Sequence, residues 1–187
     1  MVQRDLVAMA QEGDHDAFSE LAARSIGRLY AVARLILRDA DRAEDAVQDA
    51  LVQAWRDIRA VRDPEKFDGW LHRLLVRACY RQAGRSRRRA VVELRSVREE
   101  RGSEPTAGEL SVADRDQIER GLRRLAPDQR AALVLHHYLG LALWEVAEIL
   151  DIPVGTAKSR LNRATAAMRA ALEADAREPA AAKGRTA

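Results

Sequence analysis

Cysteine is almost absent from this sequence. Cys79 is the single one in 187 residues, so no disulfide can close within the chain, and a reducing compartment suits it. Aromatic residues amount to only 4%, and β-branched residues are sparse beside Ala, Leu, Arg and Glu. Strands draw on the scarce classes and helices on the abundant ones. No glycine-rich phosphate loop, serine elbow or cysteine-rich metal spacing occurs. The histidines are His15, His72, His136 and His137; the adjacent pair projects about 100° apart on a helix, unlike an i,i+4 metal pair. Cys79 lies in an apolar helical stretch beside arginines, which suits a buried structural thiol better than a nucleophile or redox sensor. No catalytic residue, metal ligand or cofactor site is therefore expected, and catalysis is set aside. Long apolar runs are missing too. AALVLHHYLGLAL is broken by histidines and glycine and falls short of a membrane span. The opening MVQRDLVAMAQEGD is charged from its start, without the apolar stretch of a signal peptide. A soluble, cytoplasmic, all-α protein is the expectation.

What is abundant is charge, at 33% of residues with a formal net charge of +3, beside 47% hydrophobic residues. The chain is long enough for one or two small cores. Apolar residues recur at helical spacing through the first half. Leu6, Val7 and Ala10 mark a short helix that Gly13-Asp14 ends, and Phe18 to Leu37 a longer one. Asp39-Ala40-Asp41 can cap DRAEDAVQDALVQAW, whose stripe is Ala43, Val47, Ala50, Leu51 and Ala54. Asp63-Pro64 breaks the chain before FDGWLHRLLVRACYRQAGR, with Phe67, Trp70, Leu71, Leu74, Leu75 and Ala78 on one side. These give a first helical bundle over residues 1–89. Mixed charge with Gly102, Ser103, Pro105 and Gly108 makes 90–113 a flexible linker. A second helical domain spans 114–174, with a loose alanine-rich tail over 175–187.

LALWEVAEILDIPVGTAKSRLNRA has the form of a helix-turn-helix. Leu143, Val146, Ala147 and Leu150 lie on one side of its first helix. Asp151 occupies the tight turn, where a left-handed backbone is expected, and Pro153 suits the first position of the next helix. In that second helix Val154, Ala157, Leu161, Ala164, Met168 and Ala171 step by three and four as a buried stripe. Ser159, Asn162 and Arg163 point away from it, with Thr156 and Lys158 on its flanks. A plain solvated face would also be polar. After such a turn and stripe, clustered side chains able to bond bidentately fit base edges in a major groove. Gly155 leaves room for a phosphate at the helix N-terminus. Lys158 suits a phosphate as well as a base, and Arg160, nearer the core, suits a phosphate.

A second basic cluster, Arg81, Arg85, Arg87, Arg88 and Arg89, closes a helix that also displays Arg73 and Arg77. Alone such a run is a solvated patch; continuing a basic helix, it fits phosphate binding. Two cationic modules on one tether suggest two contacts with one nucleic acid, the first raising the effective concentration for the second.

In this order the segments resemble the bacterial sigma-70 family, specifically its extracytoplasmic-function group of RNA polymerase sigma factors, from about Leu6 to Leu172. DRAEDAVQDALVQAW resembles the segment that docks on the polymerase β′ clamp, FDGWLHRLLVRACYRQAGR the segment that melts and reads the -10 element, and LAPDQRAALVLHHYLGLALWEVAEILDIPVGTAKSRLNRA the domain that reads the -35 element. The resemblance implies a transcription initiation factor, with core RNA polymerase (β′ clamp and β flap) and promoter DNA as partners, and an anti-sigma protein as a further one. It places Asp45, Gln48 and Asp49 at the polymerase; acids and an amide on one helix face would meet a basic surface. It places Lys158, Ser159 and Arg163 at the -35 bases, with Asn162 where some relatives carry a bulkier residue. The basic helix, with Tyr80, goes to the -10 strand. Departures fall in the middle match, where PEKFDGW replaces a serine-rich approach and Arg77 and Arg81 stand where Asn and Asp or Asn are common. The segment from Arg59 to Phe67 would capture a flipped base. Phe67, Trp70 and Tyr80 are candidates to stack on unpaired bases. Phe67 and Trp70 lie on the apolar stripe, which favours core packing; for Tyr80 both readings stand. A conventional regulator is the rival reading, but the first half lacks the strand–helix alternation of a receiver domain.

Overall fold

The computed structural model describes residues 2–92 and 112–183, with side chains described for 2–85 and 117–174. Arg87, Arg88 and Arg89 therefore have a helical backbone here, while their side chains lie outside the described residues, as does 93–111 of the expected linker. The chain divides into two compact units. All regular structure among the described residues is helical: α1 (Gln3–Glu12), α2 (His15–Leu37), α3 (Ala40–Asp57) and α4 (Phe67–Val92) in the first unit, α5 (Val112–Arg123), α6 (Pro127–Leu133), α7 (Leu143–Leu150) and α8 (Val154–Lys183) in the second. None of the described helices is long and apolar enough to cross a membrane.

Short polar residues fix the corners of the first unit. Gly13 ends α1 at φ 101°, and the Asp14 carboxylate then starts α2 by accepting from the backbone N–H groups of Asp16 at 2.8 Å and Ala17 at 3.0 Å. Arg38 turns the chain left-handed at φ 63°, an uncommon conformation for a residue with a β-carbon. Asp39 follows at once and caps α3 through Arg42 N–H at 2.9 Å. Along α3 the buried residues Ala43, Ala46, Val47, Ala50 and Ala54 are nearly all small, so α2 and α4 approach closely. Ala46 joins the expected stripe, while Leu51 is only half-buried. Phe67, Leu71, Leu75, Ala78 and Cys79 carry α4 into the core.

In the second unit Pro127 opens α6, and the Gln129 side chain accepts the Ala126 N–H at 3.1 Å. Beyond Leu133 the helix loosens into a π-helical turn at Val134–Tyr138. The His136 ring, 2.8 Å from the Leu141 carbonyl, closes that turn. Gly121 and Met168 bring α5 and α8 so close that a β-carbon at 121 would run into the methionine sulfur. Two helix ends differ from the sequence reading: α4 continues to Val92 and α8 to Lys183. Ala, Arg, Glu and Lys, most of the α8 extension, are good helix formers; the α4 extension past Arg89 is Ala90, Val91 and Val92.

Candidate nucleic-acid interface

The turn between α7 and α8 is built as its sequence requires. Asp151 sits left-handed at φ 57°, and the Ile152 N–H reaches back to the Ala147 carbonyl at 3.1 Å. Pro153 stands one residue earlier than expected, just before α8, where its carbonyl accepts from Thr156 at 2.9 Å and Ala157 at 3.0 Å. Ala157, Ala164 and Ala171 are buried, with Leu161 and Met168 half-buried beside them. Val154 departs from the expected stripe. It is 48% exposed, because burial begins only one turn later, at Ala157.

On the far side Lys158, Asn162 and Arg163 are exposed and Thr156 and Ser159 half-buried. The Ser159 hydroxyl donates to the Thr156 carbonyl at 2.9 Å, which leaves its oxygen as an acceptor. Arg160 is tied down: its Nε lies 3.5 Å from the Asp128 carboxylate on α6, a link between α8 and α6. From Val154 to Leu172 there is no acidic residue, so within α8 itself the positive end of the helix dipole and four cations add up; of these, Arg160 faces a carboxylate, that of Asp128 on α6.

The second basic surface runs along α4. Arg73, Arg77, Arg81 and Arg85 follow one another every four residues, a single ridge with about 6 Å between steps. Arg77, Arg81 and Arg85 are exposed and Arg73 half-buried. No acid occurs between Gly69 and Val92. Tyr80 is half-buried with its hydroxyl oxygen out of solvent. Phe67 is fully in the core, and Trp70, half-buried, packs its ring 5.9 Å from that of Phe67. Two titratable groups of α4 are buried, His72 and Cys79. His72 Nδ1 lies 2.7 Å from the Asp68 carbonyl, and burial holds its pKa below the usual histidine range, only partly offset by Asp68. The Cys79 thiol is pushed up to about 12 by burial, which fits a structural thiol and leaves no thiolate to react.

The acidic side of the unit is α3, where Asp41, Glu44, Asp45 and Gln48 are exposed and Asp49 half-buried. Asp41, Asp45 and Asp49 step by four along one ridge. Asp49 also lies 3.7 Å from Arg81 on α4, so one residue expected at the polymerase and one expected at DNA share a pair.

The chain between α3 and α4 is held from α1 by Gln11, a residue that sequence reading passed over. Gln11 Nε2 donates to the carbonyls of Ile58 at 3.1 Å and Val61 at 2.7 Å, and Arg59 Nε donates to the Gln11 carbonyl at 3.0 Å. Its signal was a polar residue four positions after Val7, at the spacing of the apolar face.

Comparison with known proteins matches residues 21–89 to the family described as Sigma-70 region 2 and residues 115–168 to Sigma-70, region 4. The chain is 33% identical over 169 residues to an ECF RNA polymerase sigma factor, SigM, of Mycobacterium tuberculosis, covering 87% of this chain and 80% of that protein. It is 32% identical over 173 residues to the ECF RNA polymerase sigma-E factor of Escherichia coli, covering 87% and 90%. Among solved structures, the sigma factor RpoE in complex with the anti-sigma factor NepR, from Bartonella quintana, is similar at TM-score 0.71 and 27% identity, over 84% of this chain and 98% of that one. CnrH in complex with the cytosolic domain of CnrY is similar at TM-score 0.65 and 28% identity, over 92% and 98%.

Proposed function

We propose, on the premise that this chain belongs to the extracytoplasmic-function group of the sigma-70 family, that it directs core RNA polymerase to particular promoters and starts transcription there. It acts by binding, without chemistry of its own, in the cytoplasm where the polymerase works. The acidic ridge of α3, with Asp45, Gln48 and Asp49, docks on the β′ clamp, and the second unit docks on the β flap. Lys158, Ser159, Asn162 and Arg163 read the -35 element in duplex DNA, flanked by Thr156. Arg160 supports the helix from Asp128 while its guanidinium edge faces phosphate. The α4 ridge, Arg73, Arg77, Arg81 and Arg85 with Tyr80, continued by Arg87, Arg88 and Arg89, holds the opened -10 strand. The domain plan of 1–89, 90–113, 114–174 and 175–187 belongs to the same proposal. An anti-sigma protein covering the polymerase-facing surfaces is the regulator this reading implies.

One observation carries it. A single chain presents an acidic helix, an acid-free arginine ridge and a recognition helix acid-free from Val154 to Leu172, in that order, and a nucleic acid plus a basic protein surface answers all three. The test is a mobility assay on promoter duplex with and without core polymerase. The expected result is a sequence-specific complex that requires core. Tight specific binding by the chain alone would make it a conventional regulator instead.

A further inference from the structure

The connection between α3 and α4 has little structure of its own. Two short 3-10 turns, Ile58–Ala60 and Pro64–Lys66, are joined by Val61, Arg62 and Asp63. Internal bonds are few: Val61 N–H to the Ile58 carbonyl at 3.1 Å, Lys66 N–H to the Asp63 carbonyl at 3.0 Å, and Glu65 N–H to the Asp63 carboxylate at 3.1 Å. Only Ile58 and Val61 are buried in it, while its cations Arg59, Arg62 and Lys66 are exposed. Such a segment takes its shape from what holds it.

The holder is Gln11. A primary amide carries two N–H groups, and here one side chain serves the two carbonyls that bracket the first turn. The tie is reciprocal, since Arg59 on the connection donates back to the Gln11 carbonyl in the last turn of α1. That end of a helix favours a cation, so Arg59 is drawn to it by charge as well as by hydrogen bonding. Three bonds from two directions thus converge on one residue, and they fix the backbone path from which Arg62 and Lys66 project.

We propose that Gln11 is a positioning residue for recognition of the opened -10 strand: acting through the 58–66 connection rather than touching DNA, it sets the shape that meets the unpaired bases. The inference rests on the reading that this connection meets that strand. Gln11→Glu is nearly isosteric yet removes both N–H donors and sets a carboxylate against two carbonyls; Gln11→Ala removes the side chain altogether.

The test is transcription by core polymerase with the full-length chain, on a promoter panel in which each -10 and each -35 position is varied singly. Both variants keep core affinity and -35 discrimination, and lose roughly three- to ten-fold of the ratio between best and worst -10 bases, the size expected of hydrogen-bonded positioning. A uniform fall over every -10 variant, or a fall that tracks a lowered Tm, overturns the proposal. Arg62→Ala and Lys66→Ala separate the two levels. If they leave -10 discrimination intact, the connection does not meet the strand and the underlying reading fails; if they alter it and the Gln11 variants do not, Gln11 is only a structural tie.

Discussion

Asp49 on α3 and Arg81 on α4 lie 3.7 Å apart, carboxylate to guanidinium, both at the surface. The pair couples the acidic ridge to the arginine ridge, and it divides arginines that the sequence makes equivalent. Arg81 already faces a carboxylate, whereas Arg85 lies one turn further along the exposed ridge. Arg85→Ala should lower the salt dependence of promoter binding by about one phosphate contact. Arg81→Ala should lower it by less. Equal slopes for the two variants would mean that Asp49 does not hold Arg81 in the complex.

Arg163 is exposed, and the proposed function makes it a base reader rather than a support. Arg163→Ala should cost roughly 1–3 kcal/mol at one or two -35 positions and little elsewhere, as transcription from promoter variants would record. Uniform weakening across the panel would mark a phosphate contact. Arg160→Ala should behave in that second way and also loosen α8 from α6, with a stability loss of about 1 kcal/mol or less for so exposed a pair.

Cys79 offers a probe of the core of the first unit. With its thiol pushed up to about 12 by burial, it should resist a thiol reagent in the native protein at pH 8 and react fully in denaturant. Rapid labelling of native protein would contradict the packing of α4.

His72 gives the fold a pH dependence with a definite sign. Its folded pKa lies below the unfolded 6.5, chiefly through burial. The unfolded chain therefore binds the proton more readily, and stability falls as pH drops below about 6.5 towards the folded value. Urea midpoints measured from pH 7.5 to 5.5 should decline, and the slope should be shallower in His72→Gln. An identical slope in the variant would assign the decline to other groups.

The helices were legible because their punctuation is local. Asp14 and Asp39 cap, Gly13 ends a helix, Pro64 opens a turn and Pro127 a helix, each acting within a few residues. The left-handed Asp151 followed from the helix-turn-helix spacing alone. What sequence could not give depends on partners distant in the chain. Val154 kept the apolar period, yet its side chain stands about half exposed at the start of α8. The tie from Arg160 to Asp128, 32 positions earlier, was likewise out of sight of the local pattern. Gln11 holds residues 47 and 50 positions away. The π-helical turn at Val134–Tyr138 left no mark in a run that reads as ordinary apolar helix.

Transcription in vitro from a randomised promoter library, with core polymerase in the presence and absence of this chain, tests the central claim most directly. Initiation that requires the chain and enriches two sequence blocks, one abolished by changes at Lys158 and Arg163 and the other by changes along the Arg77–Arg85 ridge, is the predicted result. Initiation by core alone at the same rate, or enrichment of a single duplex block with no dependence on the α4 arginines, would contradict it.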